Sequence, residues 1–508
     1  MTKLTGYPLN FGLALLSAAL LILIYPNWNA VFLAPFALTP LLVAVAREPR
    51  PWMRFLLGWS AGVVYWFGIC RWIQFVLEVH GGMGRWGGWG TFVLFCALKA
   101  IHLGFFAMFA AIVLPHPYAI PAIAALWTGI ERTHSNAGFA WLALGNAGID
   151  MQLPLRFVPF AGVYALSFVF AAMAAAVALV ILRRPRRQLS WLAMLLVVFA
   201  LPPVPAPEAA AETAVVVQPN LNEEQDWSPA TAELMHERLI AASLQEARRS
   251  TPRLIVWPEA PGPFYYYRDP LFHEQANTLA RQAHAYFLFG SVAHTPKDQP
   301  LNSAVMLNPD GEAVDRYDKI HLVPFGEYVP PIFEWVNRIT QEAGDFVPGT
   351  RRVLFNVAGH RVAAFICYES AFPNEVRKFA ADGAEMLVNI SNDGYFGRSA
   401  AREQHLSLVR MRAVENRRWI VRATNDGITA TVDPGGRIVE QFPPYREKVA
   451  RMGYSYVDGT TLYTRTGDWF AWLCLAVGIL TLFASQWPHY TAPKKDARVG
   501  KDARVARS

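Results

Sequence analysis

The sequence predicts two architectures in one chain. One is a polytopic α-helical membrane domain of about eight transmembrane helices; the other is an α/β domain with two sheets and helices outside them. Three observations carry this expectation. The composition is 53% hydrophobic and only 17% charged, where a soluble protein carries ~25% charged residues. That apolar surplus is concentrated in long runs before residue 212 and one more after residue 466. Between them lies a stretch with ordinary charge, turn residues and short β-rich segments. At 508 residues the chain is long enough for more than one domain.

The apolar runs cover residues 11–25, 30–46, 55–77, 89–114, 118–130, 157–182, 189–201 and 469–487. Most approach the ~20 residues that cross ~30 Å of hydrocarbon, while 118–130 and 189–201 are short. No A-x-A cleavage site follows the first run, so a retained helix is expected rather than a signal peptide. Arg47, Arg50 and Arg54 lie between the second and third runs. Arg183, Arg184, Arg186 and Arg187 lie between the sixth and seventh, and the C-terminal tail holds six Lys/Arg. Eight crossings with both termini inside would put all three clusters on the cytoplasmic side of a bacterial inner membrane. The expected domains are then residues 1–211 (seven transmembrane helices), 212–466 (periplasmic), 467–488 (a last transmembrane helix) and 489–508 (a basic cytoplasmic tail). Gly87, Gly88 and Gly90 beside Trp86 and Trp89 read as an interfacial turn with aromatic anchors. Residues 131–152 are too polar to span and read as a re-entrant piece along the outer surface. The formal charge of +7 does not indicate nucleic acid, because the basic residues cluster beside apolar segments.

Within 212–466, strands are expected at 214–218, 253–257, 286–292, 303–308, 361–366, 386–391, 419–424 and 428–433. Each is short, β-rich and bounded by turn chemistry. Helical patterns occupy 229–249, 271–284 and 400–417. Strands alternating with helices, followed by antiparallel-looking pairs, imply two sheets with helices outside.

Three stretches deliver chemistry to strand ends. RLIVWPEA runs into Glu259, DRYDKIHLVPFGEY carries Lys319, and RVAAFICYE ends on Cys367. Of the four cysteines, Cys70, Cys96 and Cys474 fall in apolar runs, which leaves Cys367 as the lone extramembrane thiol. No Cys/His spacing suggests zinc, and no cofactor is expected. A thiol with its ordinary pKa near ~8.5 is mostly protonated at neutral pH and needs a base. Glu259 can take the proton, and Lys319 can favour the thiolate and stabilise an oxyanion. Taken singly, each residue also has an ordinary structural reading as core thiol, turn cap or surface amine.

The order of the motifs removes that ambiguity. WPE at 257–259, DKIHLVPFGEY at 318–328 and ICYE at 366–369 resemble the Glu-Lys-Cys signature of the nitrilase (carbon–nitrogen hydrolase) superfamily. The resemblance implies an α-β-β-α sandwich with Glu259 as general base, Lys319 as oxyanion stabiliser and Cys367 as nucleophile. The pattern extends to Trp227, Glu327, Tyr368 and Glu369 as supporting residues, with Glu327 positioning Lys319. Tyr395 stands where the superfamily pattern would place a Trp.

With apolar runs on both sides, the chain is similar to the membrane-embedded branch of that superfamily, the apolipoprotein N-acyltransferases. The resemblance implies a phospholipid acyl donor such as phosphatidylethanolamine, a thioester on Cys367, and transfer to the N-terminal diacylglyceryl-cysteine of an apolipoprotein. A membrane-tethered amidase would share the same three residues without needing so many spans. A transporter-like scaffold fits less well, because the spans hold few charge pairs. Residues 330–339 (PPIFEWVNRI, with Phe333 and Trp335) and 264–267 (FYYY) are apolar for loops, and are expected to form arms that dip into the bilayer surface.

Overall fold

The computed structural model describes residues 7–136, 139–222, 227–259, 262–324, 326–328 and 346–486. Strands form at all eight expected places and at four more. The first sheet holds β1 (Glu212–Gln218), β2 (Leu254–Val256), β3 (Tyr286–His294), β4 (Pro300–Leu307) and β5 (Ala313–Asp318). The second holds β6 (Phe355–Val357), β7 (His360–Ile366), β8 (Met386–Ser391), β9 (Ile420–Thr424), β10 (Ala430–Val432) and β11 (Ile438–Gln441). The last strand, β12 (Lys448–Tyr454), returns to pair antiparallel with β1, closing the order β12-β1-β2-β3-β4-β5. The partner sheet runs β11-β10-β9-β8-β7-β6.

Period-two burial explains the layering. Val215, Val217, Ile255, Phe287, Phe289 and Val305 face outward into a core shared with the helices Pro229–Ser250 and Pro270–Ala283. Their neighbours Val216, Leu254, Val256, Leu288 and Met306 face inward, in one core with the second sheet. The helices begin where capping chemistry allows. Ser228 accepts from the Thr231 N–H, and Asp269 accepts from the Leu271 and Phe272 N–H groups, each with a proline in the first turn.

The helices Pro373–Ala381 and Ala401–Asn416 cover the other face of the second sheet. The second of these is buried on nearly every side, including Arg402, His405 and Arg412. Its outer face is covered by the membrane-side region. Trp141 Nε1 donates to Gln404 Oε1 at 2.8 Å, Gln404 Nε2 donates to the Ile69 carbonyl at 3.1 Å, and the Val163 N–H donates to Glu415 Oε1 at 3.0 Å.

Each expected apolar run is largely helical over its described residues, but not every one is a long α-helix. Gly84–Val113, Val163–Ile181 and Trp469–Gln486 are long and apolar enough to cross a membrane, and Pro51–Ile69 with Trp72–His80 make a fourth if that pair, bent by 65°, is one span. Tyr7–Leu23 and Val31–Arg47 are shorter. The run 189–201 lies in a 3₁₀-helix of 15 residues, Arg186–Ala200. At ~2.0 Å per residue that tighter winding reaches ~30 Å, which an α-helix of equal length does not.

Two expectations on the membrane side are corrected. Gly87, Gly88 and Gly90 are not a turn but lie inside Gly84–Val113, with Trp86 85% exposed. A Cβ on Gly88 would sit 3.2 Å from Glu78 Cβ, so glycine there lets the bent helix pair approach. Residues 131–152 are, where described, mostly buried, with Asn136, Asp150 and Gln152 exposed. The helix Ala119–Asn136 continues through Glu131, and Ala140–Ile149 is buried between bundle and sheet domain. Some of its polar groups are matched, while Glu131 Oε2 and Asn146 Nδ2 are buried without a partner among the described residues. Glu131 Oε1 accepts from the Leu144 N–H at 2.7 Å, and Arg132 pairs with Asp468 at 2.5 Å.

Of the two proposed arms, 330–339 lies outside the described residues, as do Trp487 and the whole basic tail 489–508. The FYYY stretch is not an arm: Phe264 and Tyr266 are buried in the outer core, and only Tyr265 and Tyr267 are exposed.

Candidate active site

Glu259, Lys319 and Cys367 leave the ends of β2, β5 and β7, in two sheets packed face to face. Lys319 Nζ donates to Glu259 Oε1 at 3.1 Å and to Glu327 Oε1 at 2.8 Å, with the lysine 1% exposed. Asn302 on β4 ties the group together. Its Nδ2 donates to Glu259 Oε1 at 2.7 Å and Glu327 Oε1 at 2.6 Å, and its carbonyl accepts from the Lys319 N–H at 2.8 Å. The outer oxygens are held by backbone: Glu259 Oε2 accepts from the Asn392 N–H and Glu327 Oε2 from the Val323 N–H, both at 2.8 Å. Burial alone would lower the Lys319 pKa, but the two carboxylates outweigh it and hold the ammonium well above its ordinary value.

Cys367 begins a short 3₁₀ turn with φ 49°, an uncommon left-handed geometry for a non-glycine residue that aims a side chain off the strand end. It is 4% exposed. Burial, with the Glu259 carboxylate adding to it, pushes the thiol well above its ordinary value, and Lys319 opposes them. A nucleophilic role for Cys367 would therefore require its proton to leave during attack. Glu259→Gln removes a charge that disfavours the thiolate while removing the base. Iodoacetamide labelling of Cys367 at pH 8 is expected to be several-fold faster in that variant, with enzymatic acylation lost. Slower labelling, followed by intact-protein mass, would contradict this electrostatic order.

Glu369 belongs to the scaffold of the site. Its Oε1 accepts from Tyr317 Oη at 2.6 Å, the Ile320 N–H at 2.8 Å and the His321 N–H at 3.2 Å. Its Oε2 accepts from the Ile366 N–H at 2.7 Å. One carboxylate thus clamps the Lys319 loop to the Cys367 turn. Tyr368 faces the bundle: its hydroxyl accepts from the Ala140 N–H at 3.2 Å, and its ring lies against Phe139 and Trp141. It also lines an open cavity of about 520 Å³, with Tyr328 and Phe372 on one side and Arg132 and Asp468 on the other. Among the described residues, Trp227 joins none of the charged groups. It packs beside Gly262, in the loop after Glu259.

Several residues of the site carried no sequence signal. Asn302 is a polar residue in a strand, recognisable only once β4 and β5 are in register. A second buried group backs the nucleophile. His405 Nε2 donates to the Cys367 carbonyl at 2.9 Å, and Arg422 Nη2 donates to Asp393 Oδ2 at 2.7 Å. Burial first, then the Arg422 charge, lower the His405 pKa. Its Nδ1 lies 2.9 Å from Asp393 Oδ1, so both ring nitrogens face groups that can only accept. Tyr395 does more than fill space. Its hydroxyl donates to the Gly326 carbonyl at 2.9 Å, beside Glu327, and its ring stacks on His80 of the bundle at 3.9 Å.

Residues 17–176 match the family model described as apolipoprotein N-acyltransferase N-terminal domain, and residues 214–454 match that of carbon-nitrogen hydrolase. The apolipoprotein N-acyltransferase of Geobacter metallireducens is 32% identical over 501 residues, covering 92% of this chain and 93% of its own length. The chain belongs to the apolipoprotein N-acyltransferase family. Relatives of the same name in Chlorobaculum tepidum and Azotobacter vinelandii are 28% and 31% identical, over 96% and 94% of this chain and 98% and 94% of theirs. An amidase from Nesterenkonia sp. is a similar solved structure at 18% identity and TM-score 0.38, covering 51% of this chain and 94% of the amidase. As a member of that family, the protein is an enzyme that joins a helical N-terminal region to a nitrilase-like domain.

Proposed function

We propose that this enzyme acylates the N-terminal S-diacylglyceryl-cysteine of apolipoproteins from a phospholipid, through a thioester on Cys367. The observation that carries the reading is the Glu259–Lys319–Glu327 cluster coupled to a buried thiol at the end of β7. Cys367 Sγ attacks the ester carbonyl while Glu259 takes the thiol proton. Lys319 neutralises the oxyanion, and collapse expels the lysophospholipid oxygen, which regains the proton from Glu259. The α-amine of the acceptor then attacks the thioester, Glu259 takes its proton, and the thiol leaves as the amide forms. Glu327 and Asn302 position Lys319, Glu369 fixes the Cys367 turn, and Tyr368 and Trp227 shape the surroundings.

The membrane arrangement belongs to the same proposal. Eight crossings divide the chain at 211, 466 and 488, with Arg47, Arg50, Arg54 and Arg183–Arg187 on the cytoplasmic side. The catalytic domain then lies in the periplasm, at the inner membrane of a bacterium. Phosphatidylethanolamine is the donor expected. The contacts of Tyr368 with Ala140, Phe139 and Trp141 support this, because they set the site against the bundle.

The test is intact-protein mass spectrometry after incubation with phosphatidylethanolamine and no acceptor. The expected result is a gain of one acyl chain, lost on hydroxylamine treatment and absent in Cys367→Ala. No adduct on folded enzyme with accessible lipid would overturn the transferase reading in favour of amide hydrolysis.

A further inference from the structure

A second cavity, of about 520 Å³, opens on the other side of the Asn392–Gly397 turn, where the catalytic domain meets the bent helix pair of the bundle. Phe75 and His80 line it from the bundle; Arg398, Arg402, Asp426 and Tyr445 line it from the catalytic domain. Its charges are built in. Arg402 is 2% exposed, its Nη2 donates to Asp426 Oδ2 at 2.6 Å, and its Nη1 reaches the Gly397 carbonyl and the Tyr445 hydroxyl. Arg402 Nε and Asp426 Oδ1 are enclosed by protein and have no partner among the described residues.

The Arg398 and Arg402 guanidiniums both lie over the Tyr445 ring, at 4.7 and 4.3 Å. Asp426 neutralises Arg402, whereas Arg398 is exposed and pairs with no carboxylate among the described residues. The uncompensated charge of Arg398 favours an anion beside it, and the Asp426 carboxylate, 15% exposed, favours a cation. A ligand carrying a phosphate and a primary ammonium supplies both. Depth in the membrane agrees: Trp86, 85% exposed just beyond His80, is the residue type that settles at the lipid–water interface.

We propose that this cavity holds the headgroup of the phospholipid donor, with its phosphodiester on Arg398 and its ammonium beside the Asp426 carboxylate. The assignment rests on the phospholipid-donor reading above and adds where headgroup preference is set. The turn that bounds the cavity through Gly394 and Gly397 starts at Asn392, whose N–H donates to Glu259. A headgroup seated there is one turn from the general base.

The test uses full-length Cys367→Ala protein in detergent, and native mass spectrometry with four probes. These are dihexanoyl phosphatidylethanolamine, dihexanoyl phosphatidylglycerol, dihexanoylglycerol and free O-phosphoethanolamine. The ethanolamine lipid is expected to bind about tenfold tighter than dihexanoylglycerol, the weight of one charge-assisted hydrogen bond. Arg398→Gln should erase that margin, and Asp426→Asn should level the ethanolamine and glycerol lipids. Equal binding of the ethanolamine lipid and dihexanoylglycerol would overturn the site. So would an Arg398→Gln variant that weakens all the probes alike. Free O-phosphoethanolamine binding as tightly as the lipid would reassign the cavity to a soluble phosphate ester. Asp426→Asn strips the partner of buried Arg402; should it fail to fold, the exposed Arg398 still decides the question. A thioester on Cys367 of the unsubstituted enzyme without headgroup discrimination removes this site alone. Headgroup discrimination without a thioester removes the donor reading instead.

Discussion

Lys319→Met is expected to abolish acylation of Cys367 and to cost about 3–5 kcal/mol of stability, the usual consequence of taking one partner from a buried ion group. The lysine is the cation between Glu259 and Glu327, whose Oε1 atoms also share Asn302 Nδ2. Without it, two carboxylates are left facing each other in a dry site. One of them must take up a proton, which disables Glu259 as base whenever the proton settles there. Loss of an oxyanion donor alone lowers turnover about 10²–10³-fold. Combining Lys319→Met with Glu327→Gln should recover most of the stability and none of the activity. Thermal denaturation paired with the thioester assay checks both. Recovered activity in the double variant would show that Lys319 serves only to balance charge.

Glu369→Ala is expected to have the second largest effect, although the residue accepts no proton in the reaction. Its removal leaves the N–H groups of Ile366, Ile320 and His321 and the Tyr317 hydroxyl without their acceptor. Each buried orphan costs about 1–3 kcal/mol, so a loss of several kcal/mol is expected even without additivity. The catalytic loss follows from geometry, because the same carboxylate sets the Lys319 loop against the Cys367 turn. Glu369→Gln can keep the three bonds to Oε1 and loses the one from Ile366. Its stability and acylation rate should therefore fall between wild type and Glu369→Ala. If Gln behaved like Ala in stability, the clamp would depend on charge rather than on the number of acceptors.

The strands of the catalytic domain were legible because they are short β-branched runs that end in turn residues, and β8 is found at the expected 386–391. β6 and β11 were not legible, having three and four residues and edge positions that need little apolar content. The helix Ala401–Asn416 was found in sequence, but its setting was not. Arg402, His405 and Arg412 look like a solvated face until the bundle is seen to cover them. On the membrane side, hydropathy located the apolar runs but not their form, since winding as 3₁₀ or bending at Cys70–Arg71 leaves composition unchanged.

The sequence by itself singled out Glu259, Lys319 and Cys367, because each stands at a strand end inside a motif that local spacing preserves. It also determined that a membrane-embedded helical part flanks an α/β part, because periodicity and apolar run length are local properties. Only the tertiary structure decided what surrounds those three residues. Asn302 meets Glu259 and Glu327 through the register of β4 with β5, and Glu369 joins two loops far apart in the chain. Arg402 and Asp426 meet across a turn of the second sheet, and burial there fixes both charge and partner. Such contacts depend on which segments pack together, and no single stretch of sequence carries that information.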